Sequence, residues 1–141
     1  MVVEDSDTDL MIIKEAFQDT AWNPKVITAR NGEEAMDKLR GPNANLEELP
    51  NLILLDINMP RKNGLDVLEE IKKDRSLLTI PVIILTTSTE EKDVKQAYAN
   101  HANAYIRKPL DFEEFESTLE IIEKFWANLC IPAPLPPSRF I

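Results

Sequence analysis

Glycine occurs only three times in the 141 residues, cysteine and histidine once each, and no long apolar run is present. Gly32, Gly41 and Gly64 stand apart, so neither the dinucleotide-binding nor the P-loop glycine pattern can be written anywhere in the chain. Sites of those two classes are disfavoured. The lone Cys130 can form neither an internal disulfide nor a multi-cysteine zinc site, so the chain needs no oxidising compartment and a cytoplasmic location is expected. Positive charge is also scarce. Sixteen Lys and Arg stand against 25 Asp and Glu, a net charge of −9, and no basic cluster interrupts the acidic background. Attraction to a polyphosphate backbone is opposed, and no nucleic-acid partner is expected. The apolar runs fall far short of the ~20 residues of a membrane span. The N-terminus has no basic region followed by an apolar stretch, so neither membrane insertion nor export is expected.

What is present is an alternation. Five short apolar runs read as strands: Met1–Val3, Lys25–Ala29, Leu52–Leu55, Val82–Leu85 and Ala104–Ile106. The third and fourth are apolar throughout, as suits central parallel strands covered on both faces. Between and after them, apolar residues recur at helical spacing. They are Leu10, Ile13 and Phe17; Ala35, Met36 and Leu39; Leu65, Leu68 and Ile71; Val94, Ala97 and Tyr98; and Phe112, Phe115, Leu119, Ile122 and Trp126. Asp111 and Glu114 have the spacing of a capping box for the last helix. Five β-then-α units predict one doubly wound α/β domain with a five-stranded parallel sheet of order 2-1-3-4-5, over residues 1–130. Gly41–Pro50 reads as a loop insertion. In the tail, 131–141, four prolines between Pro132 and Pro137 favour an extended segment that could reach about 30 Å.

Open α/β sheets bind ligands at the carboxyl ends of their strands. The first strand ends in Glu4-Asp5, the third in Asp56, the fourth in Thr86-Thr87-Ser88 and the fifth in Lys108-Pro109. With strands one and three adjacent, three carboxylates converge, and each pair at ~4 Å repels by about 4 kcal/mol at an effective dielectric near 20. A cation is needed. Oxygen donors without a nearby histidine or cysteine describe Mg²⁺ better than zinc. The expected ligands are the carboxylates of Asp5 and Asp56 and the backbone carbonyl of Asn58, with Glu4 holding a coordinated water. A metal, a hydroxyl and a lysine beside a carboxylate suggest phosphoryl chemistry. Asp56 would be the nucleophile, with Lys108 and Thr86 serving the phosphoryl oxygens.

Four motifs in order, VEDS (Val3–Ser6), LILLDINMPRKNG (Leu52–Gly64), PVIILTTS (Pro81–Ser88) and AYIRKP (Ala104–Pro109), make the sequence from Met1 to about Trp126 resemble a CheY-like receiver domain of two-component response regulators. The resemblance implies that Asp56 accepts a phosphoryl group from a sensor histidine kinase and that Glu4 and Asp5 are the acidic pair. It also implies that Lys108 bridges the phosphoryl group and that Thr86 and Tyr105 form the switch pair. Asn58 and Ser88 match the positions that tune autodephosphorylation. The protein would be a phosphoacceptor switch and no enzyme toward outside substrates, although it takes part in its own phosphorylation and dephosphorylation. The Lys108–Pro109 peptide would be cis. The insertion before strand three, the ending IIEKFW (Ile121–Trp126) and the proline-containing tail resemble the small stand-alone regulators paired with cyanobacterial bacteriophytochromes.

The sequence departs from that pattern twice. Strand one is only Met1–Val3, which implies either missing N-terminal residues or a shortened strand. His101 stands where the family commonly has glycine, so a different exit from the fourth helix is expected. Signal would leave through protein contacts to a downstream partner, or to a second copy, on the face of the fourth helix, fifth strand and fifth helix. Phe125 and Trp126 are interface candidates there. Three other readings stay open: a phosphotransferase using Asp56 and Asn58 as a D-x-N motif, a flavin-mononucleotide binder of the same architecture, and an interaction module indifferent to phosphorylation.

Overall fold

The computed structural model describes residues 1–18, 20 and 23–134. Its strands are β1 (Val2–Val3), β2 (Thr28–Ala29), β3 (Ile53–Leu55), β4 (Val82–Thr86) and β5 (Ala104–Arg107). The helices are α1 (Asp7–Gln18), α2 (Gly32–Arg40), α3 (Gly64–Lys73), α4 (Glu91–Ala99) and α5 (Phe112–Glu123). All strand pairs are parallel, in the order β2-β1-β3-β4-β5.

The two-residue period of a strand decides how the layers form. Val2, Leu54, Ile83 and Leu85 point to one face, where Leu10, Ile13 and Phe17 of α1 and Phe115, Leu119 and Ile122 of α5 cover them. Val3, Leu55, Val82 and Ile84 point to the other face, beneath α2, α3 and Ala97 of α4. Burial on both faces explains why the β3 and β4 segments are apolar at every position.

Several expectations are corrected. β2 keeps only the last two residues of the anticipated strand Lys25–Ala29, because β1 pairs with it through Val2 and Val3 alone. Tyr98 and Phe112, expected on buried helix faces, are each about half exposed. Asp111 caps α5 by accepting the Glu114 N–H at 3.0 Å. α5 then continues as a π-helical turn, Lys124–Leu129, closed by the Cys130 N–H on the Phe125 carbonyl at 2.9 Å. Within the insertion, residues 46–48 form a 3₁₀ turn, Leu46–Glu48. Tail residues 131–134 carry no regular secondary structure; residues 135–141, with Pro136 and Pro137, lie outside the described residues.

The exit from α4 keeps a left-handed geometry without glycine. His101 has φ 66°, its N–H donates to Tyr98 O at 3.0 Å, and the Ala102 N–H donates to Ala97 O at 3.0 Å. These are the two bonds of a Schellman cap, and they satisfy helix carbonyls that would otherwise lack partners. No helix among the described residues is long and apolar enough to cross a membrane.

Candidate functional site

The site is assembled by sheet register. The Glu4 N–H bonds to Ala29 O at 2.9 Å and the Asp56 N–H to Val3 O at 3.1 Å, which brings the ends of β1 and β3 side by side. The Lys108 N–H bonds to Thr86 O at 2.8 Å and so ties the residue after β5 to the end of β4. Glu4, Asp56, Thr86 and Lys108 are the buried polar side chains of the molecule among the described residues. Asp5 is exposed. Carboxylate oxygens of Glu4, Asp5 and Asp56 all lie within 4.8 Å of one another.

Lys108 is the buried cation at this cluster. Its Nζ donates to Glu4 Oε2, to Asp9 Oδ2 at 3.0 Å and to Asp56 Oδ2 at 3.4 Å. Burial alone would lower the ammonium's pKa, but the bond to Glu4, the charges of Asp56 and Glu4 and the bond to Asp9 raise it above the ordinary lysine value. Glu4 shows the opposite balance. Burial pushes its carboxyl up to about 7, the charge of Asp56 adds to the rise, and the bonds from Lys108 and the Ser6 N–H, the latter at 3.0 Å, only partly oppose it. One ammonium therefore undercompensates the pocket. Hard oxygen donors with surplus negative charge fit a divalent cation such as Mg²⁺.

Asp56 is held from below. Its Oδ1 accepts the Ile57 N–H at 2.8 Å, and the loop after it returns so closely that the Gly64 N–H bonds to Ile57 O at 2.9 Å. A Cβ at Gly64 would stand 1.9 Å from Asp56 O. Asn63 caps α3 by accepting the Leu65 N–H at 2.7 Å. Asn58 is exposed at the start of this loop.

Thr86 is fully buried, and its Oγ1 accepts the Ser88 N–H at 3.3 Å. Ser88 Oγ donates to Asp93 Oδ2 at 2.6 Å, which ties it to the first turn of α4. The Tyr105 hydroxyl donates to Ser88 O at 2.9 Å, so its ring lies over the β4–α4 loop. The Tyr105 N–H donates to the Tyr98 hydroxyl at 3.2 Å. Phe125 and Trp126 meet edge to face, with centroids 5.2 Å apart. Trp126 packs on the core of the α1/α5 face, and Phe125 is half exposed.

The expected cis peptide is not found: no cis bond occurs among the described residues. Trans is the intrinsically favoured form even before proline, and with it the Lys108 amine still reaches all three carboxylates. Asp9, Gly64 and the Ser88–Asp93 bond were not anticipated from sequence. In sequence Asp9 carries no signal beyond that of an acid suited to the first turn of a helix.

Comparison with known proteins agrees with the fold. Residues 1–120 match the family described as response regulator receiver domain. The response regulator Rcp1 of Synechocystis sp. is 39% identical over 136 residues, covering 94% of this chain and 92% of that one. A probable methanogenesis regulatory protein, FilR2 of Methanothrix harundinacea, is 39% identical over 126 residues, covering 89% and 81%. The crystal structure of the phosphorylated cyanobacterial phytochrome response regulator RcpA superposes with a TM-score of 0.88 at 38% identity, covering 94% and 96%. That of the Mn²⁺-bound form of Rcp1 gives 0.88 at 36%, with the same coverage. The chain belongs to the response regulator receiver domain family, whose members act in phosphorylation-dependent two-component signalling and are not classical enzymes.

Proposed function

We propose that Asp56 is the phosphoacceptor of a Mg²⁺-dependent switch. The observation that carries the reading is the buried Lys108 ammonium shared by Glu4, Asp9 and Asp56 where the sheet's central strands end. Asp5, Asp56 and the Asn58 carbonyl would hold the ion, with Glu4 on a coordinated water; when bound, it neutralises charge on the phosphoryl oxygens. An Asp56 oxygen forms a bond to phosphorus as the bond from phosphorus to the histidine nitrogen of the kinase breaks. The electron pair stays on that nitrogen, which takes up a proton, and nothing is oxidised or reduced. Lys108 and the Thr86 hydroxyl donate to the phosphoryl oxygens. In hydrolysis, a water oxygen bonds to phosphorus as the bond from phosphorus to the Asp56 oxygen breaks, which releases inorganic phosphate and returns the Asp56 carboxylate, with Asn58 and Ser88 setting the water's access.

Thr86 and Tyr105 carry the change outward. A Thr86 drawn toward the phosphoryl group alters the β4–α4 loop on which the Tyr105 hydroxyl rests, and this biases the face of α4, β5 and α5 between two arrangements. That face meets a downstream protein partner or a second copy, with exposed Phe125 as its aromatic contact and Trp126 behind it. The kinase is a sensor of the bacteriophytochrome type, a reading supported by the likeness to RcpA and Rcp1, and the signalling is cytoplasmic. Residues 1–130 form the receiver and 131–141 an appended tail.

Incubation with acetyl phosphate and Mg²⁺, read by intact mass, tests the assignment. One phosphoryl adduct is expected, absent with EDTA and absent in Asp56→Asn. An adduct that persists in Asp56→Asn refutes it.

A further inference from the structure

The lysine at the site is not centred on Asp56. Lys108 Nζ has three protons to donate, and the structure gives its longest contact, 3.4 Å, to Asp56. It lies closer to Glu4 at the end of β1 and to Asp9 in the first turn of α1, at 3.0 Å. Asp9 is fixed from its own side, since its N–H donates to Ser6 Oγ at 3.3 Å. Its carboxylate is partly exposed, whereas those of Glu4 and Asp56 are buried. Asp9 also stands outside the trio of Glu4, Asp5 and Asp56 whose oxygens converge for a metal. Its contact in the pocket is with the ammonium.

We propose that Asp9 is a positioning residue that holds the Lys108 ammonium on the α1 side of the pocket and competes with the phosphoryl group on Asp56 for it. This rests on the reading of Asp56 as phosphoacceptor. In transfer from acetyl phosphate, the Asp56 oxygen bonds to phosphorus, the bond from phosphorus to the acetate oxygen breaks, and acetate leaves with the electron pair. Negative charge on the phosphoryl oxygens needs the ammonium as this happens. An ammonium tied to Asp9 must first give up that partner, so Asp9 slows adduct formation through Lys108. Asp9→Asn keeps the shape of the side chain and removes its charge.

Three measurements on the full chain test the proposal. In Asp9→Asn the adduct is expected to form about tenfold faster, while Mn²⁺ affinity, followed by electron paramagnetic resonance, changes by less than about twofold. In a Lys108→Met background the same substitution is expected to change nothing. By ¹⁵N-detected NMR, the Lys108 side-chain resonance is expected to shift in Asp9→Asn. A rate in Asp9→Asn equal to or below the parent's overturns the proposal, as does a metal affinity that changes in step with the rate. An unmoved Lys108 resonance overturns it whether or not an adduct forms. A parent protein that gives no adduct refutes the Asp56 reading instead, and the resonance then decides the role of Asp9 alone.

Discussion

Burying Glu4 beside Asp56 has a thermodynamic signature that can be measured without a kinase. Its carboxyl is pushed from 4.5 up to about 7 by desolvation. Below pH 4.5 the folded and unfolded states both hold the proton. Between 4.5 and 7 the folded state keeps it and the unfolded state releases it, so in the metal-free protein this group's contribution to stability falls as pH rises. A separation of about 2.5 pH units at roughly 1.4 kcal/mol per unit is about 3 kcal/mol. That corresponds to roughly 10 °C in melting temperature for a domain of this size.

The Met1 amino group, held down at about 5 by burial, titrates in the opposite sense across part of the range. The quantity to measure is therefore the difference between the parent and Glu4→Gln, in which Met1 cancels. Gln copies the protonated carboxyl in shape and charge. In urea with EDTA, the two proteins are expected to match near pH 4, with the variant more stable by about 3 kcal/mol at pH 8. Mg²⁺ is expected to recover most of the parent's loss at pH 8 and to add little at pH 5, because binding requires the ionised carboxylates. A parent-minus-variant difference that stays constant from pH 5 to pH 8 would refute the reasoning, since it would mean that Glu4 is as easily ionised in the fold as outside it.

Gly64→Ala places a Cβ against backbone, 1.9 Å from Asp56 O and 2.9 Å from Ile57 Cα. The expected result is a loss of about 3 kcal/mol or more in urea unfolding, with slower adduct formation as the Asp56 loop is displaced; parental stability would show that the loop yields freely. Trp126 packs on the core and Phe125 is half exposed, so Trp126→Ala is expected to cost about 2 kcal/mol, whereas Phe125→Ser changes stability by less than about 0.5 kcal/mol. Sedimentation then separates packing from interface: Phe125→Ser weakens self-association or partner binding, and unchanged association in that variant removes Phe125 from the proposed surface.

The strand ends are legible in the sequence because each is a break in a local pattern. Asp56 follows LILL, Glu4-Asp5 follows two valines, and Lys108 precedes a proline after an apolar run. Sheet order then places them together, and the observed register confirms the order. What could not be read are contacts whose partner is set by three-dimensional closure. Asp9 meets Lys108 across 99 positions of sequence, and nothing in its neighbourhood distinguishes it from Asp7, whose carboxylate pairs with Arg30 at the surface. Helical periodicity likewise could not tell that α4 buries chiefly Ala97, because burial there depends on how far the helix stands from the edge of the sheet. His101 adopts the left-handed conformation that favours glycine. The inference that the helix would end differently failed because the two Schellman bonds offset the modest cost of a left-handed histidine.

The scarcity of glycine and the surplus of acid are two sides of one arrangement. A glycine-rich loop binds phosphate by presenting backbone N–H groups, and its field is positive before the ligand arrives. Here the resting pocket has the reverse sign, with four carboxylates around one ammonium. Such a pocket would repel free phosphate and, as proposed above, would become an acceptor only when a divalent cation supplies the missing charge. Phosphorylation of Asp56 would then add a further negative charge to a cluster that Lys108 already undercompensates, as the raised carboxyl of Glu4 records. The groups able to respond are those that can bring positive charge or a donor hydrogen closer, namely Lys108 leaving Asp9 and Thr86 turning from the β4–α4 loop. The first movement would give up the 3.0 Å contact with Asp9 and close the 3.4 Å one to Asp56, and the second would give up the 3.3 Å bond from the Ser88 N–H to Thr86. On the proposed reading, the same electrostatic deficit that makes the metal-free fold less stable above pH 7 would drive the rearrangement when a phosphoryl group is attached to Asp56.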